Sequence, residues 1–450
     1  DFELNYNQAA PGRSSKPIRL RHLEIPLKQL DFDATDLSPA LKSALVFTRG
    51  EEQYYRWILN PEDATYGAKL KQSLKQAGVP YRELEYFNGY LSASRSVFVT
   101  DPVTGTVMSI KASTDKTGGL WKDKQETVRA ARAGRLISDH IRERSKVTEN
   151  KHFRYLGEPV ATSFSPADQA VIVREHPHLN APNLSTRLIP FFSIIQSELG
   201  EKIAKENGAS TPEKILAYWS KHLFEPWGKS AAEAALNFGI FSNSAHSQNY
   251  LLEVEDRGGR LQPTGKIYAR DLSDGGLIEP LVKRGTIGEK LISLYETMDG
   301  RQNPILGDNA EINYSPFVGD RGRSQSWISA DAMEKWRDDF IGGFESRFRE
   351  LAGFEIELVL KRRFFHELRG HTKMVIADGI TDNQFKALEK RIAPSVVATQ
   401  SLCSEKFAKF TTALKQVEEP KKPQANSSFV ENIDGPIRAK RRIIRRPGVL

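Results

Sequence analysis

The spacing of apolar residues separates stretches that read as strands from stretches that read as helices. Val97, Phe98 and Val99 run into Asp101-Pro102-Val103-Thr104-Gly105, and Val107 to Ile110 return toward Lys111, so Ser96 to Thr114 predicts a hairpin. Tyr250 to Val254 and Lys266 to Ala269 predict a second hairpin, joined by a turn rich in glycine and charge. Tyr155 to Ser165 and Ala170 to Arg174 read as further strands. Helical spacing marks Ala68 to Ala77, Lys124 to Arg142, Glu198 to Asn207, Pro212 to His222, Ala231 to Phe238 and Glu289 to Thr297. From Ala330 to Glu419 helical periodicity dominates, with Trp336, Phe340, Phe344, Phe348 and Leu351 on one face. Trp219, Phe224 and Trp227 read as core. Residues 1–36, interrupted by Pro11, Pro17 and Pro26, read as a loose arm with one short strand, and Ala44 to Leu59 shows no clean alternation. Gly300 to Gly322 reads as a loop, either a lid or an insertion. Segregated strands and helices predict an α+β fold.

At 450 residues the chain is long enough for several packed lobes, and 39% hydrophobic with 27% charged residues is ordinary for a globular protein. Net charge is +8, but Arg438, Lys440, Arg441, Arg442, Arg445 and Arg446 crowd a Pro-, Lys- and Ser-rich tail expected to be disordered. The remaining mild excess suits anionic small molecules better than nucleic acid. Cys403, the single cysteine, rules out an internal disulfide or a Cys-based zinc site. No apolar run is long enough to span a membrane. Cytoplasmic localisation is expected if ATP is used, with a removed leader compatible with the start at Asp1.

The candidate chemistry gathers around residues 237–276. Pairing the second hairpin brings the residues before its first strand beside those after its second, so His246, Gln248, Asn249, Arg270 and Asp271 should meet at one end. Asn and Asp supply hard oxygen ligands for Mg²⁺, while Arg and His suit phosphate oxygens. The alternative is a surface hairpin whose polar residues cap turns. After the first hairpin, Lys111-Ala112-Ser113-Thr114-Asp115-Lys116-Thr117-Gly118-Gly119 places lysines, hydroxyls and glycines where they could cradle a phosphate, without a Walker pattern. Arg174 and Glu175 face the same region or form an ordinary strand-end ion pair. His176 and His178 could ligate a metal from a strand, but no third ligand is in view. Lys361, Arg362, Arg363, His366, Arg369, His371 and Lys373 form either a solvated basic face or a substrate pocket.

The text GIFSNSAHSQNYLLEV followed by YARDLSDGGL resembles the Gly-x-x-x-Glu-Ala-His-x-Gln-Asn and Arg-Asp motifs of the NRPS-independent siderophore synthetases, the aerobactin-synthetase family. AVIVREHP resembles that family's buried strand ending in Arg-Glu-x-Pro. The resemblance runs from about Lys111 to Leu277. It implies a multi-lobed fold with a mainly antiparallel, palm-like and distantly kinase-like nucleotide-binding core over residues 96–280. An N-terminal region (1–95), a helical C-terminal lobe (281–419) and the basic tail (420–450) complete the expected organisation.

The resemblance further implies ATP and Mg²⁺, with nucleotide contacts at Lys111, Ser113, Thr114, Lys116, Arg174, His246, Gln248, Asn249 and Arg270, and metal ligation by Asn249 and Asp271. Lys111, His246 and Arg270 would act in catalysis, and Lys116 stands in for an arginine of the family loop. The implied reaction is activation of a carboxylate, citrate being the family's usual acid, as an acyl adenylate, followed by transfer to an amine or alcohol. A homodimer is among the assemblies allowed. Ser244 stands where the family carries a metal-binding Glu. Two rivals therefore stay open: a kinase-like phosphotransferase, with Glu126 as partner of Lys111, and a non-catalytic nucleotide- or ligand-binding relative.

Overall fold

The computed structural model of the protein describes residues 17–92, 95–115, 124–181, 185–242, 245–271, 273, 276–296, 312–315, 328, 330–360, 372–377 and 379–392. Lys116, Ser244, Asp274, Cys403, the basic cluster from Lys361 to His371 and the basic tail lie outside these residues. In chain order the strands are β1 (Ile18–Pro26), β2 (Asp31–Ala34), β3 (Val46–Arg49), β4 (Glu52–Ile58), β5 (Arg82–Leu91), β6 (Ser96–Thr100), β7 (Val107–Ala112), β8 (Phe153–Tyr155), β9 (Val160–Phe164), β10 (Gln169–Glu175), β11 (Thr186–Pro190), β12 (Ile240–Phe241), β13 (Tyr250–Arg257), β14 (Arg260–Ala269), β15 (Gly276–Leu277), β16 (Ile312–Tyr314), β17 (Leu358–Leu360) and β18 (Thr372–Ile376). The helices are α1 (Pro39–Leu45), α2 (Thr65–Gln76), α3 (Val128–Ser145), α4 (Pro177–Asn180), α5 (Phe191–Ile195), α6 (Glu198–Glu206), α7 (Pro212–Trp219), α8 (Glu225–Phe238), α9 (Glu279–Val282), α10 (Gly288–Glu296), α11 (Ala330–Ala352) and α12 (Asp382–Arg391). The fold is α+β, as the residue patterning predicts.

A nine-stranded antiparallel sheet, ordered β2-β9-β10-β7-β6-β5-β1-β4-β3, forms the first layer. One of its faces buries Leu20, Leu23, Val99, Ile110, Val171 and Val173 together with Leu41 and Leu45 of α1 and Leu70 and Leu74 of α2. Strand β1 is a nine-residue strand paired on both sides, by β4 and β5, rather than a short strand in a loose arm. Its leading Ile-Arg-Leu-Arg-His looks half-polar, and only the two neighbours reveal it as central. Helix α3 covers the opposite face through Ala131, which meets Ala161, Ala170 and Ile172. It begins at Val128, later than the pattern suggests, because Thr127 caps Ala130 N–H and Lys124 instead pairs with Thr114.

A four-stranded sheet, β11-β13-β14-β8, lies within the second core. The β13–β14 hairpin turns tightly at Gly258-Gly259, both at positive φ (64° and 85°), the geometry that only glycine enters freely. Much of the expected turn is thus strand. Helix α7 runs through a π-helical turn, Ser220–Phe224, directly into α8. Trp219, Phe224 and Trp227 are buried there, and the Trp336–Phe348 face of α11 packs into the same core. The helical expectation beyond Ala352 fails in part. Ile312–Tyr314, expected in a loop, pairs with Thr372–Ile376, which also pairs with Leu358–Leu360. Such short segments acquire strand character from each other rather than from their own periodicity.

Two close approaches fix α8. A methyl group at Gly228 would stand 2.0 Å from the Phe340 carbonyl of α11, and one at Gly343 would stand 2.2 Å from the Glu225 carbonyl of α8. Glu233 of α8, fully buried, accepts the N–H groups of Lys151, His152 and Phe153 and pairs with Arg347 of α11. That carboxylate positions the start of β8. His140 of α3 donates from Nε2 to the Phe238 carbonyl at the end of α8 (2.8 Å), tying the two layers together.

Gly228→Ala is expected to lower stability by about 1–3 kcal/mol, read as a lower urea midpoint, because neither backbone can retreat without disturbing the core. Burial lowers the His140 pKa to about 4. The unfolded chain therefore binds the proton more tightly, and this contribution is complete above about pH 6.5 and is lost as pH falls toward 4. Urea titrations across that window should show wild type losing more stability than His140→Gln.

Candidate active site

The functional side chains come from the α3-covered face of the large sheet and from the open end of the β13–β14 hairpin. Lys111 of β7 lies opposite Ser96 and Ile172, and Arg174 of β10 lies opposite Ser109, so alternation puts both cations on one face. They converge on Asp271, the second residue after β14. Lys111 Nζ is 2.5 Å and an Arg174 NH2 nitrogen 3.1 Å from Asp271 Oδ1. Asp271 has φ +62°, a conformation that few residues other than glycine adopt and that Asp tolerates better than most.

Each cation also has a second, deeper partner. Glu126 Oε2 is 3.3 Å from Lys111 Nζ and 3.0 Å from Arg95. Glu158 Oε1 accepts Arg174 Nε at 2.7 Å. Both glutamates are fully buried, whereas the Asp271 side chain keeps 21% of its exposure. Glu158 is seated by Ser138, whose hydroxyl accepts its N–H, and by Gly134 of α3, where a methyl group would meet Glu158 Oε2 at 2.2 Å.

Electrostatics follow from this crowding. Burial alone would push Lys111 down and Asp271 up. Asp271 and Glu126 outweigh it for the lysine, which sits above its ordinary range, and Lys111 and Arg174 hold the aspartate well below its own. Burial raises Glu126 despite its cationic neighbours. Burial, then the charge of Arg174, lowers Arg270 to about 10.

The hairpin end assembles as its residue order requires. Arg270 N–H donates to the Asn249 carbonyl (3.0 Å) and its Nε to the Gln248 carbonyl (3.1 Å). Asn249 N–H donates to the His246 carbonyl (2.8 Å), and the Asn249 amide lies 3.4 Å from His246 Nε2. His246 itself is braced by an isolated bridge to Ser315, the residue after β16. Ser113 and Thr114 perform local structural work: the Ser113 hydroxyl accepts Glu126 N–H at 2.8 Å, and Thr114 is wholly buried in its bridge to Lys124. Lys116 lies outside the described residues.

Two participants, Arg95 and Glu158, escaped the sequence reading. Arg95 sits one residue before β6 and opposite Ala112, so the hairpin register was the signal that would have found it. Glu158 is a lone glutamate in a loop, with no local signal. Glu126 was recognised as a partner of Lys111, but it precedes α3 rather than lying in it. His176 and His178 do not share a strand; β10 ends at Glu175 and His178 lies in α4. Among the described residues no group of three or more His, Cys, Asp or Glu side chains could hold a metal. Glu253 is engaged elsewhere, by Lys266, Thr264 and His178. A cavity of about 480 Å³ beside α3, lined by Ser138, Arg142, Arg154, Tyr155 and Glu175 among others, contains none of the residues in this cluster.

Glu158→Ala should cost about 3–5 kcal/mol in urea unfolding, because it removes the fully buried partner of the Arg174 guanidinium and leaves only the shared, partly exposed Asp271. The double change Glu158→Leu with Arg174→Met should cost less than that single change, since it removes both charges.

No family model matches the chain, and no curated protein sequence matches it. Solved structures do. The petrobactin biosynthesis protein AsbB from Bacillus anthracis str. Sterne matches 86% of this chain and 71% of its own, with 12% identity and a TM-score of 0.54. The ATP-bound aerobactin synthetase IucA from a hypervirulent pathotype of Klebsiella pneumoniae matches 67% of this chain at 13% identity with a TM-score of 0.45, and IucC from the same source 62% at 14% with 0.36. The chain spans 57% of the length of IucA and 53% of that of IucC. At 12% identity the likeness to AsbB is one of fold. The chain has the fold of the NRPS-independent siderophore synthetases, the family that its residues around His246 and Asp271 resemble.

Proposed function

We propose that the protein is an ATP-dependent ligase that activates a small carboxylic acid as an acyl adenylate and passes the acyl group to an amine or hydroxyl. The observation that carries this reading is the convergence of Lys111 and Arg174 on Asp271 at the end of the hairpin. Arg270 and Arg95 stand nearby, which gives four cations against one partly exposed carboxylate and two buried ones. That balance suits a polyphosphate.

In this reading Lys111, Arg174 and Arg270 take the phosphates, His246 and Gln248 contact the nucleotide, and Arg95 supplies the arginine that the loop after β7 lacks. Asn249 and Asp271 fit Mg²⁺ only as it arrives with the nucleotide, because they supply one carboxylate and leave the remaining positions to phosphate and water. The metal would offset charge on the phosphates. Asp271 must then release its two cations to the nucleotide, while Glu126 and Glu158 keep those side chains aimed. The carboxylate attacks the α-phosphorus, pyrophosphate leaves, and the fixed cations stabilise the charge that develops.

One observation favours a second reading. The buried Lys111–Glu126 pair is the arrangement that kinase-like phosphotransferases use to hold a phosphate-binding lysine. The nucleotide product separates the two: AMP and pyrophosphate for the ligase, ADP for the phosphotransferase. A panel of di- and tricarboxylic acids, citrate first, should support exchange of labelled pyrophosphate into ATP. Lys111→Met and Asp271→Ala should each lower the exchange by about 100-fold or more. A clean ADP product would overturn the ligase, and absence of both products would leave a nucleotide-binding protein.

A further inference from the structure

Among the described residues of the cluster around Asp271, no side chain is an obvious acceptor for the proton of an incoming nucleophile. His178 is the candidate along β10 and its continuation. Beyond Arg174, β10 leads to His176, and Pro177 opens the short helix α4 that carries His178 over the small sheet. His178 Nε2 lies 3.3 Å from Glu253 Oε2. An ionised carboxylate only accepts hydrogen bonds, so the ring proton resides on Nε2 and Nδ1 presents a lone pair. Nδ1 is buried and has no hydrogen-bond partner among the described residues.

The setting of Glu253 is elaborate for a structural ion pair. The β13–β14 register shifts here: Leu252 pairs with Ile267 but Val254 with Pro263, and the extra residues of β14 wrap around the glutamate. Thr264 Oγ1 (2.9 Å) and Lys266 Nζ (3.0 Å) reach Oε1, and the Tyr268 hydroxyl (3.1 Å) reaches Oε2. Burial would raise the carboxyl, but the bonds from Lys266, Thr264 and His178 outweigh it and keep it below the ordinary range. The Tyr268 ring stands edge-on to the imidazole, centroids 5.2 Å apart. Leu252 and Val254 point into the core, so alternation turns Glu253 to the opposite face, and Arg270, the first residue after β14, follows Tyr268 by two.

His178 follows the phosphate-facing Arg174 by four residues along the chain. His176 intervenes; its ring packs 5.0 Å from that of Phe98, and burial, then the charges of Arg270 and Arg174 and the nearby His178, lower its pKa to about 3. His176 is thus a neutral spacer. His176 neighbours Arg270, Arg174 and His178, and His178 in turn meets Glu253. In an acyl adenylate the acyl carbon is one oxygen away from the α-phosphorus. A base for the second step must therefore stand beside the phosphate cations and not among them, where positive charge would oppose protonation.

Resting on the ligase reading, we propose that His178 is the general base of acyl transfer, with Glu253 as its positioning residue. The nucleophile's nitrogen or oxygen bonds to the acyl carbon, the bond from that carbon to the AMP oxygen breaks with its electron pair leaving on AMP, and the nucleophile's proton passes to His178 Nδ1. Glu253 fixes the tautomer and stabilises the imidazolium. Lys266, Tyr268 and His176 are the other titratable groups facing the ring.

Hydroxylamine and a primary alkyl amine separate the steps, because hydroxylamine is unprotonated at neutral pH and traps an acyl adenylate without a base. With ATP and the acid panel, His178→Gln should form hydroxamate within about threefold of wild type yet lose about 100-fold in amide formation from 1,4-diaminobutane. His178→Gly should regain amide formation when imidazole is added, a recovery that a purely structural role would not show. Undiminished amide formation by His178→Gln would overturn the base assignment, as would parallel loss of hydroxamate and amide without imidazole rescue. Failure of wild type itself to form hydroxamate would instead overturn the ligase reading.

Discussion

A carboxylate shared by two cations from a different sheet organises the site. Asp271 belongs to the hairpin of the small sheet, whereas Lys111 and Arg174 belong to the large one, and one oxygen, Oδ1, takes both. Like charges brought this close would repel without a carboxylate between them. The two sheets can therefore present their polar edges to each other only while a counter-ion stands there. An anionic ligand can substitute for it.

The counter-ions differ in how firmly they are held. Glu126 and Glu158 have no exposed surface, and Glu158 is wedged against Gly134 and Ser138 of α3. Removing a charge from such a place is costly, so these residues are permanent parts of the scaffold. Asp271 is partly exposed, sits in a left-handed backbone conformation and follows a strand end. It is the partner best placed to move. Buried carboxylates that aim the cations, together with one partly exposed carboxylate that neutralises them, give a cluster whose charges are largely balanced within the protein.

The helical layer holds this arrangement in register. Gly228 and Gly343 let α8 and α11 approach until backbone touches backbone, Glu233 caps the segment that becomes β8, and β8 pairs with β14 just before Asp271. Packing far from the cluster thereby sets where the hairpin ends. The same β14 carries the bulge around Glu253, so one strand positions both Asp271 and the His178–Glu253 pair.

The sequence by itself determined the two hairpins, most helices and the meeting of His246, Asn249, Arg270 and Asp271, because these depend on periodicity and turn chemistry within a few tens of residues. The aromatic face of α11 was legible for the same reason. Tertiary structure alone decided what lies between distant segments. β1 reads as half-polar until β4 and β5 flank it, and the strands around Tyr314 and Met374 exist only by pairing with each other. Glu158, in the loop before β9, finds Arg174 of β10, Arg95 reaches Glu126 through hairpin register, and Glu253 is met by His178 from another element. Local patterns encode which residues share a face. Which faces meet is settled by burial and charge compensation over the whole chain, and no window of sequence contains that information.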